Sequence, residues 1–267
     1  MGRGQSPCPM NGEIGKAANM APFGDIGADK PGYVRAMFTA IAGRYDFVNS
    51  VLSFGLDAGW RRFAASQATT GPNGLALDVA AGTGELARHL ARKEGRVTVV
   101  ALDFCPDMLS RARAKPTARN GGERIEFVLG DVLRLPFADG IFDCVTIGFG
   151  LRNVADVHAA FREMSRVTRV GGTVVSLELT QPASPFARAL HALWLSRVLP
   201  HLGRLISGSR EAYEYLPHSI REFPSPEKVK SIMETVGLGD VKVHSLSGGI
   251  ATVHVGAKAD GPGRPPR

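Results

Sequence analysis

The spacing of hydrophobic residues divides the chain into three parts, and the first part is helical. Between residues 33 and 68 apolar side chains recur at helical spacing, as Met37, Phe38 and Ile41 do. Three glycines interrupt the pattern and are predicted to break it into short helices: Gly43, Gly55 and Gly59. We therefore predict a helical lid over residues 31–70.

The middle part alternates short apolar runs with helical patterns. Five runs have the length and composition of buried strands: Leu75–Ala80, Val97–Leu102, Ile125–Leu129, Asp143–Ile147 and Val174–Leu179. A helical pattern follows most of these runs, and such alternation is typical of a parallel sheet with helices on both faces.

The last part departs from this rhythm. Residues 184–222 are predicted to form a helical insertion on the substrate side, and a helix follows over residues 226–236. Two strand-like runs, 241–246 and 250–257, flank Ser247-Gly-Gly, which suits a hairpin turn. We expect an α/β fold: a doubly wound, mostly parallel seven-stranded sheet with a C-terminal antiparallel hairpin.

Composition supports one globular domain over residues 31–258, flanked by disordered ends at 1–30 and 259–267. Apolar residues make up 44% of the chain and charged residues 21%. The apolar runs are too short to span a membrane, and the N-terminus does not resemble a secretory signal. The three cysteines and seven histidines show no metal-ligand spacing, so we expect a cytoplasmic protein without a metal. The net charge of +7 would suit nucleic acid or an anionic membrane, and charge alone does not choose.

A glycine-rich turn joins the first predicted strand to its helix. It reads Asp78-Val-Ala-Ala-Gly-Thr-Gly-Glu85, and Gly82 and Gly84 flank Thr83. Such a turn lets a ligand approach the backbone closely. Asp78, at the strand end, would bind the ammonium of a methionine group directly or through water.

The same turn also matches the dinucleotide fingerprint G-x-G-x-x-A. Asp103 lies 19 positions beyond Gly84, at the end of the second strand, where a carboxylate accepts hydrogen bonds from ribose hydroxyls. The turn and Asp103 together indicate an adenosine-type cofactor and leave NAD and S-adenosylmethionine both open.

The end of the third strand favours the methyl donor. Asp131 stands where an acidic residue would take the adenine amino group, while a nearby backbone N–H takes a ring nitrogen. The alternative is that Asp131 only caps a turn. With the terminal hairpin, this arrangement fits a class I, Rossmann-like methyltransferase better than a plain dinucleotide-binding fold.

Several blocks between Met37 and Lys258 closely resemble the ubiquinone/menaquinone biosynthesis C-methyltransferase family. They include Met37-Phe-Thr-Ala-Ile-Ala-Gly-Arg-Tyr-Asp46, Leu135-Pro-Phe-Ala-Asp139 and, most specifically, Phe149-Gly-Leu-Arg-Asn-Val154. The resemblance implies methyl transfer to a ring carbon of a prenylated quinol: demethylmenaquinol, or alternatively a benzoquinol of the ubiquinone pathway.

The resemblance also implies which residues contact the methyl donor, and where this chain departs from the pattern. The implied contacts fall on Thr83, Asp103, Asp131 with Val132, and Gly148. Glu85 stands where Asp is common, Val132 where a small residue is usual, and Gly148 where relatives often carry a hydroxyl or methyl side chain.

Arg152 and Asn153 are the catalytic candidates, because they follow the fourth strand at the edge where ligands bind in doubly wound sheets. We expect them to orient or stabilise a phenolate, with Tyr45 of the lid in an acid–base or hydrogen-bonding role. The plainer interpretations are a surface ion pair for Arg152 and a packed aromatic for Tyr45.

The segment 186–206 is strongly apolar and is interrupted by three arginines. Such a basic amphipathic helix predicts peripheral contact with the inner face of a membrane. A core helix or a homodimer face is the alternative. Two other functions stay open at this point: an NAD-dependent oxidoreductase and a non-catalytic quinone-lipid binding protein. A nucleic-acid methyltransferase would show Asn-Pro-Pro-Tyr or a Cys nucleophile, and neither signature occurs.

Overall fold

The computed structural model describes residues 30–93, 96–116, 124–182 and 210–259, together with residues 184, 185, 188, 189, 193 and 197. The predicted disordered ends, apart from residues 30 and 259, lie outside the described residues. So does most of the segment 186–206.

Three helices precede the sheet: α1 (Lys30–Ile41), α2 (Tyr45–Leu52) and α3 (Leu56–Gln67). The alternating part comprises β1 (Leu75–Val79), α4 (Glu85–Ala91), β2 (Thr98–Asp103), α5 (Pro106–Ala114), β3 (Arg124–Leu129), β4 (Phe142–Gly148), a 3₁₀ turn (Leu151–Asn153), α6 (Val157–Val167) and β5 (Thr168–Leu179). The described end comprises α7 (Arg210–Glu222), α8 (Pro226–Thr235), β6 (Leu238–Leu246) and β7 (Ala251–Lys258).

The seven strands form one sheet in the order β3-β2-β1-β4-β5-β7-β6, which confirms the predicted fold class. Strands β1 to β5 pair in parallel, and β7 runs antiparallel between β5 and β6. The order reverses between β1 and β4, and in doubly wound sheets ligands bind at the carboxyl edge of that switch point.

Both faces of the sheet are buried, as a parallel sheet requires. Alternate residues of β1 point to opposite sides, so Ala76 joins one apolar core with α3 and α4. Leu77 and Val79 join the other core, with α6 and α8. The sheet is therefore a rigid platform for residues at its carboxyl edge.

The helical lid differs from prediction at Gly59. Gly43 and Gly55 do separate helices, and Gly55 adopts a left-handed φ of 74° directly before α3. Gly59, however, lies inside α3. A mid-helix glycine costs about 1 kcal/mol relative to alanine, and the burial of Trp60 and Ala64 in the same helix offsets this cost.

Candidate active site at the carboxyl edge of the sheet

A cavity with an empty volume of about 780 Å³, including space open to solvent, lies between the carboxyl edge of the sheet and the lid. Seven of the eleven predicted site residues line it: Tyr45, Gly82, Asp103, Asp131, Val132, Gly148 and Asn153. We call this space the donor cavity. Asp78, Thr83, Gly84 and Arg152 are not among the residues that line it.

Two glycines shape the loop after β1 in different ways. Gly82 has a φ of 56°, and a Cβ built on it would meet nothing within 4 Å. Gly84 has a φ of 79°, and its Cβ would lie 3.3 Å from the ring of Phe127. Gly82 therefore leaves the loop backbone open at the cavity, whereas Gly84 allows the start of α4 to pack closely on the sheet.

The Asp103 carboxylate is held in place by the backbone. The Gly82 N–H donates to one oxygen (2.7 Å) and the Cys105 N–H to the other (2.8 Å). Burial raises the pKa of Asp103, and these two N–H groups act against that shift. The carboxylate is thus fixed at the cavity wall with lone pairs left for a ligand.

Asp131 combines its two predicted interpretations. Its carboxylate accepts the Leu133 N–H at 2.9 Å, so it caps the turn after β3, and it also lines the donor cavity beside the buried Val132. Its side chain is exposed, in contrast to that of Asp103.

Gly148 lies at the opposite wall of the cavity. A Cβ added there would come within 3.0 Å of the Leu86 side chain, so any larger residue at this position needs Leu86 to shift.

Asp78 lies one layer behind the loop and is 1% exposed. The Thr146 hydroxyl donates to its Oδ1 at 2.7 Å, while Oδ2 is buried without a hydrogen-bond partner within the described part of the chain. Burial raises the pKa of Asp78 to about 7. An ammonium group would satisfy this oxygen directly or through water.

Thr83 does not face the cavity, because its hydroxyl donates to Asp46 of the lid at 2.5 Å. Lys115 completes this contact, with its Nζ 2.7 Å from the other Asp46 oxygen and 2.6 Å from Glu85. A polar latch of four side chains therefore ties α2 to the loop after β1. Sequence reasoning missed Asp46 and Lys115, although Asp46 follows Tyr45 in the first resemblance block.

A second cavity, with an empty volume of about 470 Å³, lies under the lid. We call it the apolar cavity, because five of its eleven lining residues have aliphatic or thioether side chains; these residues are Met37, Ile41, Val48, Leu52 and Leu216. Arg152 and Tyr215 line it as well. Three residues line both cavities and form their shared wall: Phe38, Tyr45 and Asn153.

Arg152 forms a buried ion pair, so the surface interpretation is wrong. Its NH1 donates to Glu178 at 2.6 Å and to the Phe149 carbonyl at 2.7 Å. The two charged side chains are 8% and 1% exposed. Burial alone would lower the pKa of Arg152, but Glu178 and the Tyr45 phenol outweigh it, and the pKa lies above its ordinary value.

Two polar atoms near this pair are buried and unsatisfied among the described residues: Nε of Arg152 and Oδ1 of Asn153. Tyr45 packs edge-on against Phe38, with ring centroids 5.7 Å apart, and so is a packed aromatic that also lines both cavities. A cation, an amide and a phenol therefore meet at one end of an apolar cavity.

Comparison with known proteins identifies the family. Residues 26–258 match the model of the ubiE/COQ5 methyltransferase family. The chain belongs to this family. A demethylmenaquinone methyltransferase of Deinococcus radiodurans is 44% identical over 91% of this chain and 99% of its own. A protein of the same name from Thermus thermophilus is 45% identical over 82% and 99%.

Solved structures of methyltransferases share the fold. An S-adenosylmethionine-dependent methyltransferase of Thermotoga maritima matches with a TM-score of 0.59 over 84% of this chain and 99% of its own, at 18% identity. That likeness concerns the fold alone. The ubiE/COQ5 assignment decides between the two interpretations of the glycine loop: the cofactor is the methyl donor S-adenosylmethionine rather than NAD.

In the described part of the chain, no three His, Cys, Asp or Glu side chains lie together as metal ligands would. Within the same ranges, no helix is both long enough and apolar enough to cross a bilayer.

Proposed function

We propose that this ubiE/COQ5 family enzyme methylates a ring carbon of a prenylated quinol, converting demethylmenaquinol to menaquinol. The observation that carries this proposal is the apolar cavity, whose polar end meets the donor cavity at Tyr45 and Asn153. Its lining suits an isoprenoid tail, and its polar end suits a hydroxylated ring. The names of the relatives from Deinococcus and Thermus support the naphthoquinol as substrate.

The residues at the donor cavity fit S-adenosylmethionine. Asp103 would accept the ribose hydroxyls, Asp131 and the Val132 N–H would hold adenine, and Asp78 would neutralise the ammonium. The remaining predicted contacts, Gly82, Thr83, Gly84 and Gly148, would shape the site through backbone and packing. When bound, the donor supplies an electrophilic methyl group on a sulfonium.

The protein's own part in the reaction is to make the ring carbon nucleophilic and to position it. Loss of a phenolic proton to water pushes electron density onto the ring, and the Arg152 cation stabilises the resulting phenolate. The ring carbon that takes the methyl group then gives up its own hydrogen as a proton, which restores the aromatic ring. Glu178 positions the Arg152 cation. Asn153 and Tyr45 orient the ring from the shared wall, where both can reach it.

A methylation assay under reducing conditions tests the proposal. Demethylmenaquinol and the benzoquinol precursor are offered side by side, with labelled S-adenosylmethionine, and faster turnover of the naphthoquinol is expected. A relative from Geotalea uraniireducens, 42% identical over 84% of this chain, is named for both quinone pathways. Faster methylation of the benzoquinol would therefore show that the substrate belongs to the ubiquinone pathway. Binding without turnover of either quinol would favour a carrier.

We expect cofactor affinity to depend on pH through Asp78. The pKa of this carboxyl is about 7, so it is protonated in the free protein at lower pH. A bound ammonium favours the ionised carboxylate, so binding below pH 7 must displace the proton of Asp78. The Kd of S-adenosylhomocysteine should therefore rise about tenfold for each pH unit by which the pH falls below 7. Calorimetry with S-adenosylhomocysteine between pH 5.5 and 8 measures this.

Two variants control this measurement. Asp78→Asn should bind more weakly at pH 8 and lose the part of the pH dependence that belongs to Asp78, because no proton is exchanged at this position. Thr146→Val removes the hydrogen bond that lowers the pKa of Asp78, so the midpoint should move to higher pH. Equal affinity of the native protein at pH 6 and 8 would contradict the role of Asp78.

The substrate proposed here is a lipid, so the enzyme must meet a bilayer. We place it in the cytoplasm, in peripheral contact with the inner face of the membrane. The sequence predicts this contact for residues 186–206, which lie mostly outside the described residues. That this segment contacts the membrane, rather than the core or a second subunit, stays a prediction.

A further inference from the structure

Arg152 lies on the 3₁₀ turn after β4, and the backbone of this turn is bonded to the lid. A helical turn leaves the carbonyl groups at its end without partners inside the turn. Here the ammonium group of Lys30 donates to the carbonyl groups of Arg152 and Val154, at 3.2 and 2.9 Å. Lys30 is the first residue of α1 and precedes Arg152 by 122 positions. We call residues 151–154 the Arg152 turn.

The other described contacts of this turn come from the sheet and hold mainly side chains. NH1 of Arg152 donates to Glu178 of β5 and to the Phe149 carbonyl directly after β4. The same carbonyl accepts from Nδ2 of Asn153 at 3.3 Å. The second oxygen of Glu178 accepts the backbone N–H of Arg152 at 3.2 Å. The sheet thus fixes the guanidinium and the amide, while Lys30 fixes the carbonyl groups of the turn from the lid.

Lys30 is a half-buried cation whose surroundings favour this contact. Burial lowers the pKa of its ammonium group, and the Glu222 carboxylate at the end of α7 acts against that shift. A charged group is costly to remove from water unless hydrogen bonds replace its hydration. The two carbonyl groups of the Arg152 turn supply such bonds, and a charged donor makes them stronger than bonds between neutral groups.

The first turn of α1 also contacts the walls of both cavities. Pro31, next to Lys30, lines the donor cavity. The ring of Tyr33 packs against the ring of Tyr215, with centroids 5.9 Å apart, and Tyr215 lines the apolar cavity. The helix that anchors the Arg152 turn is therefore itself packed at the place where donor and quinol would meet.

We propose that Lys30 is a positioning residue, which fixes the Arg152 turn and thereby the guanidinium that stabilises the phenolate. A displacement of about 1 Å in such a group can cost as much as a hundredfold in rate. The contacts with Glu178 limit the displacement, so loss of Lys30 should cost less than loss of Arg152 itself. This inference rests on the proposed role of Arg152.

Steady-state kinetics of Lys30→Met test this role. Methionine keeps an unbranched side chain but has no ammonium group, so kcat for the quinol should fall about tenfold. Lys30→Arg can again donate to both carbonyl groups and should recover most of the loss. An unchanged kcat in Lys30→Met, or no recovery in Lys30→Arg, would overturn the proposal.

A matched control lies at the other end of the sheet. The ammonium group of Lys258 also donates to two backbone carbonyl groups, those of Arg166 at 3.1 Å and Thr168 at 2.7 Å. These groups lie where α6 joins the amino end of β5, away from the Arg152 turn. Lys258→Met should lower the free energy of unfolding much as Lys30→Met does, and it should leave kcat unchanged. An equal loss of kcat in both variants would show a general effect of stability and refute positioning.

A double-mutant comparison shows whether Lys30 acts through Arg152. In the R152A/E178A background the buried ion pair is absent as a unit, and no guanidinium is left to position. Lys30→Met should therefore have little further effect on kcat there, whereas it has its full effect in the native background. The same loss in both backgrounds would show that Lys30 acts independently of Arg152.

Hydrogen exchange reports on the Arg152 turn directly and needs no substrate. The N–H groups of Asn153 and Val154 are hydrogen-bonded to carbonyl groups two turn positions or more earlier, at 3.0 and 3.2 Å. Lys30→Met should speed their exchange roughly tenfold, since the turn opens more easily, and Lys258→Met should not. Unchanged exchange in Lys30→Met would overturn the proposal. Failure of the native enzyme to methylate the quinol would count against the proposed function, while exchange would still decide whether Lys30 fixes the turn.

Discussion

Arg152→Ala should lower kcat for the quinol by about two to three orders of magnitude, the effect of removing a preorganised group from a developing oxyanion. The guanidinium is buried, paired with Glu178 at 2.6 Å, and lines the apolar cavity. Water entering the space left by the side chain would stabilise the phenolate much less than the fixed cation does. Steady-state kinetics at saturating donor and quinol measure the effect.

The same substitution also lowers stability, and a second variant separates this loss from the loss of catalysis. Arg152→Ala leaves the Glu178 carboxylate buried without its cation, and the free energy of unfolding should fall by about 3–5 kcal/mol. The double variant R152A/E178A removes the stranded charge, so much of that stability should return in urea unfolding while kcat stays low. Recovery of kcat together with stability would show that Arg152 is only structural.

Asp103→Ala should raise Kd for S-adenosylhomocysteine roughly a hundredfold or more. Hydrogen bonds to a charged group contribute about 1.5–3 kcal/mol each, and a carboxylate facing a ribose makes two. The variant also frees the Gly82 N–H, which the carboxylate now holds at 2.7 Å. Calorimetry at pH 8 measures the loss, at a pH where Asp78 is ionised.

Asp131→Ala is the matched comparison. Its carboxylate is exposed and makes one contact to the Leu133 N–H, so solvent weakens its bond to adenine and about tenfold is expected. A larger loss for Asp131→Ala than for Asp103→Ala would reverse the proposed roles of the two strand ends.

The periodicity of apolar residues predicted the sheet well, because buried parallel strands are continuous apolar runs between glycine turns. The runs at 75–80 and 97–102 match β1 and β2 closely. Strand β5 begins at Thr168, earlier than the predicted 174, since residues 169–171 are exposed and Val170 is the one apolar residue among them.

Side-chain partners were less predictable, because they depend on packing between distant segments. Glu178 lies 26 residues beyond Arg152 inside an apolar run, and nothing local marks it as the partner. For Thr83, the local pattern predicted the wrong partner. The loop pattern suggests that its hydroxyl contacts a ligand, whereas the hydroxyl donates a hydrogen bond to Asp46, which lies 37 residues earlier.

The shared wall of Phe38, Tyr45 and Asn153 makes the two binding equilibria one linked system. A ligand bound in the donor cavity fixes the positions of these three side chains and so changes the surface that the quinol contacts in the apolar cavity. Thermodynamic reciprocity then requires the quinol to alter donor affinity by the same factor. A substitution at Tyr45 will accordingly shift the dissociation constants of both ligands, and neither can be interpreted as the property of one cavity.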